Sequence, residues 1–193
     1  MLTKYVTVYT EANPNPNSMK FVLNFTLVPE GATFDFPDAE SAAQGSPLAA
    51  ELFAFNHVRR VFITANFVTV TKDEATEWPD VIPSLRSFVK AYFEAEKPVL
   101  TQQRMDAADA ALNVNDSEVV RKIKSLLDEY VRPAVESDGG AINFYSFHEG
   151  TVKVHLQGSC SGCPSSTLTL KAGIENLLKR MVPEVKEVVA EGV

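Results

Sequence analysis

The chain has 193 residues, 45% of them hydrophobic and 22% charged, a composition that builds folded cores rather than a disordered chain. Its 18 Lys and Arg against 25 Asp and Glu leave a net charge of -7, which repels a phosphate backbone, and adjacent basic residues occur only in short doublets such as Arg59-Arg60. No run approaches the ~20 apolar residues that cross a bilayer, so neither nucleic acid nor membrane is expected as a partner.

Residues Lys4 to Tyr9 alternate like a strand. The N-terminus has neither a basic-then-apolar signal pattern nor an Arg-rich, acid-poor presequence, and the expected location is the cytoplasm. Asn13-Pro14-Asn15-Pro16-Asn17-Ser18 then reads as a shaped loop, because each proline fixes its own φ and biases the preceding Asn away from helix. Met19 to Val28 returns to strand composition, and Thr33 to Pro37 is a further short strand with Phe34 and Phe36 on one side. Ser46 and Pro47 have the chemistry of a helix cap and first helical position. Val58 to Lys72 is a hairpin turning near Ala65-Asn66, and Trp78 to Phe93 is a helix whose regular part is expected after Pro83.

This half contains no catalytic constellation, and His57 lacks a positioned partner in the sequence. Residues 94–115 change texture and read as a flexible linker. Two small α+β domains are therefore predicted, at 1–93 and 116–193.

The C-terminal half is the more regular. Val119, Ile123, Leu126, Leu127, Tyr130 and Val131 recur at helical spacing after a cap at Asp116 or Ser117, with an end expected near Arg132-Pro133. Ser137-Asp138-Gly139-Gly140 is a turn. Ala141 to Phe147 and Thr151 to Gln157 form a hairpin, Ser165 to Val182 a helix, and Val185 to Val189 a last strand. The order is α-β-β-α-β, with the only two cysteines, Cys160 and Cys163, at the strand-to-helix turn.

Two thiols three residues apart make no disulfide framework. They point to metal binding or redox chemistry in a reducing compartment. Gly158 and Gly162 are expected to curl the backbone so that both sulfurs face outward, with the following helix favouring thiolate. A zinc ion or a 4Fe–4S cluster wants four protein ligands, so one pair is half a site, which a second copy of the chain would complete. His148 and His155 lack metal-motif spacing and read as surface residues; Met105 and Met181 read as packing residues. Thiol–disulfide oxidoreductase chemistry is the alternative, although the motif lacks the aromatic residue that usually precedes a thioredoxin-type pair.

Glu136-Ser137-Asp138-Gly139-Gly140, followed by Leu156-Gln157-Gly158-Ser159-Cys160-Ser161-Gly162-Cys163-Pro164-Ser165-Ser166-Thr167-Leu168, resembles the NifU C-terminal (Nfu) iron–sulfur domain over about residues 116–191. Asn13 to Phe21 resembles the start of the Nfu N-terminal domain. The resemblance implies a non-catalytic scaffold or carrier. It would hold a 4Fe–4S cluster between the two subunits of a homodimer, through Cys160 and Cys163 of each, receive it from an upstream donor and transfer it to apo-proteins. The N-terminal domain, having no cysteine, is expected to recognise partners or targets.

Overall fold

The computed structural model describes residues 5–29, 31–105, 116–162 and 164–192, with the backbone alone at 161, 162 and 164–168. The described residues form two compact units: one reaches to residue 105, and the other runs from residue 116 onward and takes in loop residues 13–15. Each mixes helices with a sheet, so the chain is α+β as expected.

In the first unit β1 (Val8–Ala12), β2 (Ser18–Leu23), β3 (Thr33–Phe36), β4 (Val58–Thr64) and β5 (Phe67–Lys72) form one antiparallel sheet in the order β1-β2-β5-β4-β3. Alternation at period two places Phe34, Ile63, Val68 and Phe21 in one row across four strands, and Phe36, Val61, Val70 and Met19 in another. All eight are buried, each large side chain contributing about 1.5–3 kcal/mol. Strand β1 starts later than the sequence pattern places it. The side chain of Asn24 takes the backbone bonds of the preceding segment, accepting from Thr7 N at 2.9 Å and donating to Tyr5 O at 3.0 Å.

Helix α1 (Ala39–Gly45) is an element the apolar pattern does not reveal, since it buries only Ala42 and Gly45; Asp38 caps it through Ser41 N at 2.7 Å. Ser46 then caps α2 (Pro47–Leu52) as expected. Helix α3 (Trp78–Glu94) packs Leu85 and Val89 into the core. It is regular from Trp78, not only after Pro83, because Pro79 needs no partner in the first turn and Pro83 forfeits just one early bond. Part of the segment read as a linker belongs to this unit: Leu100 is buried, Val99 and Met105 pack on the core, and Thr101 N donates to Gly45 O at 3.0 Å. Residues 106–115 of that segment lie outside the described residues.

In the second unit α4 (Glu118–Leu126) is capped by Ser117, whose Oγ accepts from Val120 N at 3.3 Å. The helix does not end at Arg132-Pro133. It widens into a π turn at Leu127–Val131, where Arg132 N–H bonds Leu127 O five residues back, and continues as α5 (Arg132–Ser137). The wider turn accommodates the proline ring, and Pro133 falls in the first turn of a new α run, where its missing N–H costs little. Strands β6 (Gly140–His148) and β7 (Thr151–Gly158) pair antiparallel, a short 3-10 turn spans Ser159–Gly162, α6 covers Pro164–Met181, and β8 (Glu187–Gly192) returns parallel to β7.

The expected α-β-β-α-β order is thus present. Ile123, Val131 and Val135 from the first helical run, Val152, Val154 and Leu156 from β7, and Ile174 and Leu178 from α6 make its core. Glu175 ties α6 to the sheet edge, accepting from Lys179 at 2.5 Å and from Val188 N at 3.1 Å. Met181, read from the sequence as a packing residue, is instead 38% exposed at the last residue of this helix. No helix of the described residues is long and apolar enough to cross a membrane.

Candidate functional site

Two glycine-bearing segments meet at the cysteine turn. Helix α5 ends at Ser137, Asp138 N–H bonds Ala134 O, and Gly139 leaves the helix at φ +77°, a left-handed conformation that a Cβ disfavours. Gly140 then opens β6 and pairs across the ladder with Gly158, which closes β7 at φ +66°. The curl that glycine permits at 158 therefore turns the chain straight into Ser159 and Cys160.

Ser159 fastens the two segments together. Its N–H donates to Gly139 O at 3.3 Å and its hydroxyl donates to Asp138 O, while the side chain is almost wholly buried. Gly140 supplies the space. A Cβ there would stand 2.8 Å from Cys160 Sγ, 3.2 Å from its Cβ and 2.6 Å from Gln157 O, so the sulfur occupies the room that a side chain would fill. Sequence reasoning reads the Asp-Gly-Gly turn as structural; what it misses is that the second glycine shapes the bed of the sulfur. The only signal available for this was the doublet itself.

Cys160 is 5% exposed and belongs to the apolar core of the second unit, with Ser159 Oγ 3.9 Å from its sulfur. This corrects the expectation of an outward sulfur at this position, because the 3-10 turn folds Cys160 back over Gly140 before α6 begins. Cys163, the other expected ligand, lies outside the described residues. Among the described residues no three His, Cys, Asp or Glu side chains gather as a metal site. His148 is exposed. His155 lies on the sheet face opposite Val154 and Leu156, stacks on Tyr145 with centroids 4.4 Å apart, and has Nε2 3.9 Å from Glu191.

Beside Cys160 opens a cleft of about 550 Å³ between the α4–α5 run and α6. Tyr130, Val131 and Ala134 line it from the first helical run and Leu170, Gly173 and Leu177 from α6, with Cys160, Asp138 and Thr169 also in its lining. It was not foreseen. Tyr130 and Leu177 read as members of ordinary apolar helix stripes, and only the packing shows that the stripes do not close on each other here.

Comparison with known proteins identifies both halves. The NifU-like domain model matches residues 123–189, and the model of the scaffold protein Nfu/NifU N terminal matches residues 8–96. A protein of Drosophila willistoni named "NFU1 iron-sulfur cluster scaffold homolog, mitochondrial" is 42% identical over 181 residues, covering 94% of this chain and 62% of that protein. Its namesake in Drosophila persimilis is also 42% identical, covering 94% of this chain and 64% of that one. The chain thus spans about three fifths of the length of these relatives.

A solution structure of a NifU-like protein from Saccharomyces cerevisiae is 21% identical, covering 53% of this chain and 91% of that one, with a TM-score of 0.47. The relatives' names correct the expectation of a cytoplasmic location, since they are mitochondrial proteins by name. With its N-terminal half matched by one family model and its cysteine-bearing half by the other, the chain belongs to the Nfu/NifU-like family.

Proposed function

We propose that this chain is an iron–sulfur cluster scaffold and carrier, in which Cys160 and Cys163 of two subunits hold one 4Fe–4S cluster between them. The observation that carries this reading is the Cys-x-x-Cys spacing of Cys160 and Cys163 in the sequence, inside the segment matched by the NifU-like domain, with Cys160 on the turn that follows Gly158. The names of the relatives support it, because they describe iron–sulfur cluster scaffolds. The cluster is cargo. Transfer needs no general acid or base, only exchange of thiolates at iron: each exchange forms one Fe–S bond to an acceptor thiolate and breaks one to a carrier thiolate. The proton lost by the acceptor thiol passes to the released carrier thiolate, and no oxidation state changes.

Because Cys160 is buried, loading requires the Ser159–Gly162 turn to present its sulfur, a movement that the flanking Gly158 permits. An upstream donor supplies the cluster and apo-proteins receive it. The cysteine-free N-terminal domain, 1–93, recognises partners.

Anaerobic reconstitution with iron and sulfide, followed by iron counting and native mass measurement, tests the reading. One 4Fe–4S cluster per two chains is expected, with loss of both cluster and dimer in the Cys160→Ser, Cys163→Ser double variant. A monomer that takes up no iron overturns it, and reversible closure of the pair with turnover of a disulfide substrate would establish the oxidoreductase alternative instead.

A further inference from the structure

Ser159, the residue before Cys160, has each of its hydrogen-bonding groups engaged. Its N–H donates to Gly139 O at 3.3 Å, its hydroxyl donates to Asp138 O, and its own carbonyl accepts from Asn15 Nδ2 at 3.1 Å. The first two bonds tie Ser159 to the Asp138–Gly139 turn. The third comes from the Asn-Pro-Asn-Pro-Asn loop, whose residues 13–15 belong to the second unit and to which the cluster chemistry gives no task. Pro14 fixes its own φ, and Asn15, standing before Pro16, is biased to extended backbone. The Asn15 amide therefore reaches Ser159 from a stiff segment, with little chain entropy left to lose.

The three bonds act on different parts of the chain. The N–H and hydroxyl of Ser159 hold the residue itself, whatever the following peptide does. Its carbonyl lies in the same rigid plane as the N–H of Cys160, so a bond to that oxygen fixes the direction in which the chain leaves Ser159. That direction sets Cys160 Sγ in the space over Gly140, with the residue 5% exposed. Turning the Ser159–Cys160 peptide about ψ of Ser159 carries the sulfur out of that space. The bonds to Asp138 and Gly139 survive such a turn, and the bond to Asn15 breaks.

We propose that Asn15 is a positioning residue for Cys160: its side-chain amide holds the Ser159–Cys160 peptide in the orientation that keeps the sulfur inward, and release of this bond lets the thiolate out to iron. The second half rests on the carrier reading given above; the first stands on the geometry of the cysteine turn. The loop thereby guards the thiol, and the cysteine-free half of the sequence gains a hand in how readily a cluster is taken up.

The test uses the full chain carrying Cys163→Ser, in which Cys160 is the single cysteine. Its alkylation by iodoacetamide under native conditions is followed by mass in this parent and with Asn15→Ala or Asn15→Gln added. Loss of one hydrogen bond populates the opened turn roughly two- to tenfold more, so Asn15→Ala is expected to alkylate faster by that factor. Asn15→Gln keeps an amide donor and is expected to bring the rate back toward the parent's. An unchanged urea midpoint separates a turn set free from a unit unfolded. In the chain with both cysteines, anaerobic reconstitution with iron and sulfide is expected to bring Asn15→Ala to the wild-type iron content, and sooner.

An Asn15→Ala alkylation rate equal to the parent's overturns the inference, whatever the iron content. So does an equally raised rate in Asn15→Gln, which would assign the effect to side-chain shape and not to the donor. A lower final iron content in Asn15→Ala also overturns it, because Asn15 would then help to hold the cluster. A wild-type chain that takes up no iron defeats the carrier reading and the loading half of the proposal, while alkylation still decides the positioning half.

Discussion

At the scale of single residues the site is decided by what Gly140 lacks. Its missing side chain leaves the space in which Cys160 Sγ rests, 2.8 Å from where a Cβ would be, with Gln157 O closer still at 2.6 Å. Gly140→Ala forces either the sulfur or the ladder carbonyl to move. Overpacking of this kind costs about 1–3 kcal/mol, so the variant is expected to unfold at lower denaturant and to change the alkylation rate of Cys160 measured on a Cys163→Ser background. An unchanged midpoint and an unchanged alkylation rate would show that the sulfur does not depend on that space. The Asp-Gly-Gly turn was readable because glycine at positive φ is local chemistry. That one of its glycines touches a sulfur 20 residues later was not, since it depends on the pairing of Gly140 with Gly158.

At the scale of elements the sequence speaks most clearly through caps and alternation. Ser46 shows both how much is local and how much is not. Its role as the cap of α2 follows from the Ser-Pro pair, and Oγ indeed accepts from Ala49 N at 3.0 Å. The same hydroxyl also donates to Val99 O at 2.6 Å, a bond to a segment read as linker. Ser46→Ala removes a cap worth about 1 kcal/mol and leaves that carbonyl without this donor, at a further ~1–3 kcal/mol. The expected loss for the first unit is therefore about 2–4 kcal/mol, checked by urea unfolding, and Ser46→Thr restores most of it. The π turn lies at the other extreme. Pro133 predicted a helix end, but tertiary burial of Val131 and Val135 on either side of it keeps the chain helical and moves the irregularity into the hydrogen-bond ladder.

For the molecule as a whole, alkaline pH is expected to act on the first unit through Tyr92. Burial, reinforced by the charge of Glu51, pushes its hydroxyl up to about 12, and the neutral hydroxyl donates to Pro98 O at 2.7 Å. The folded chain thus holds the proton more tightly than the unfolded chain, where tyrosine titrates near 10. The contribution is fully present below pH 10 and is lost as pH rises from 10 through 12, up to about 2–3 kcal/mol. Tyr92→Phe should flatten the pH dependence of stability across that window. A variant that keeps the wild-type slope would place the alkaline sensitivity elsewhere.

The amino-acid sequence by itself determined the α+β class, the order of elements in the cysteine-bearing half and the presence of a single Cys-x-x-Cys pair, too few thiols for a four-ligand site. These follow from side-chain periodicity, turn chemistry and ligand number, all of which act over a few residues. Only the tertiary structure decided that Cys160 is folded inward against Gly140, that Val99 and Leu100 close the first core, and that two apolar helix faces part beside the sulfur to leave a cleft. Each of these depends on which distant surfaces meet and how completely they fill the space between them, a property of packing that no local pattern encodes.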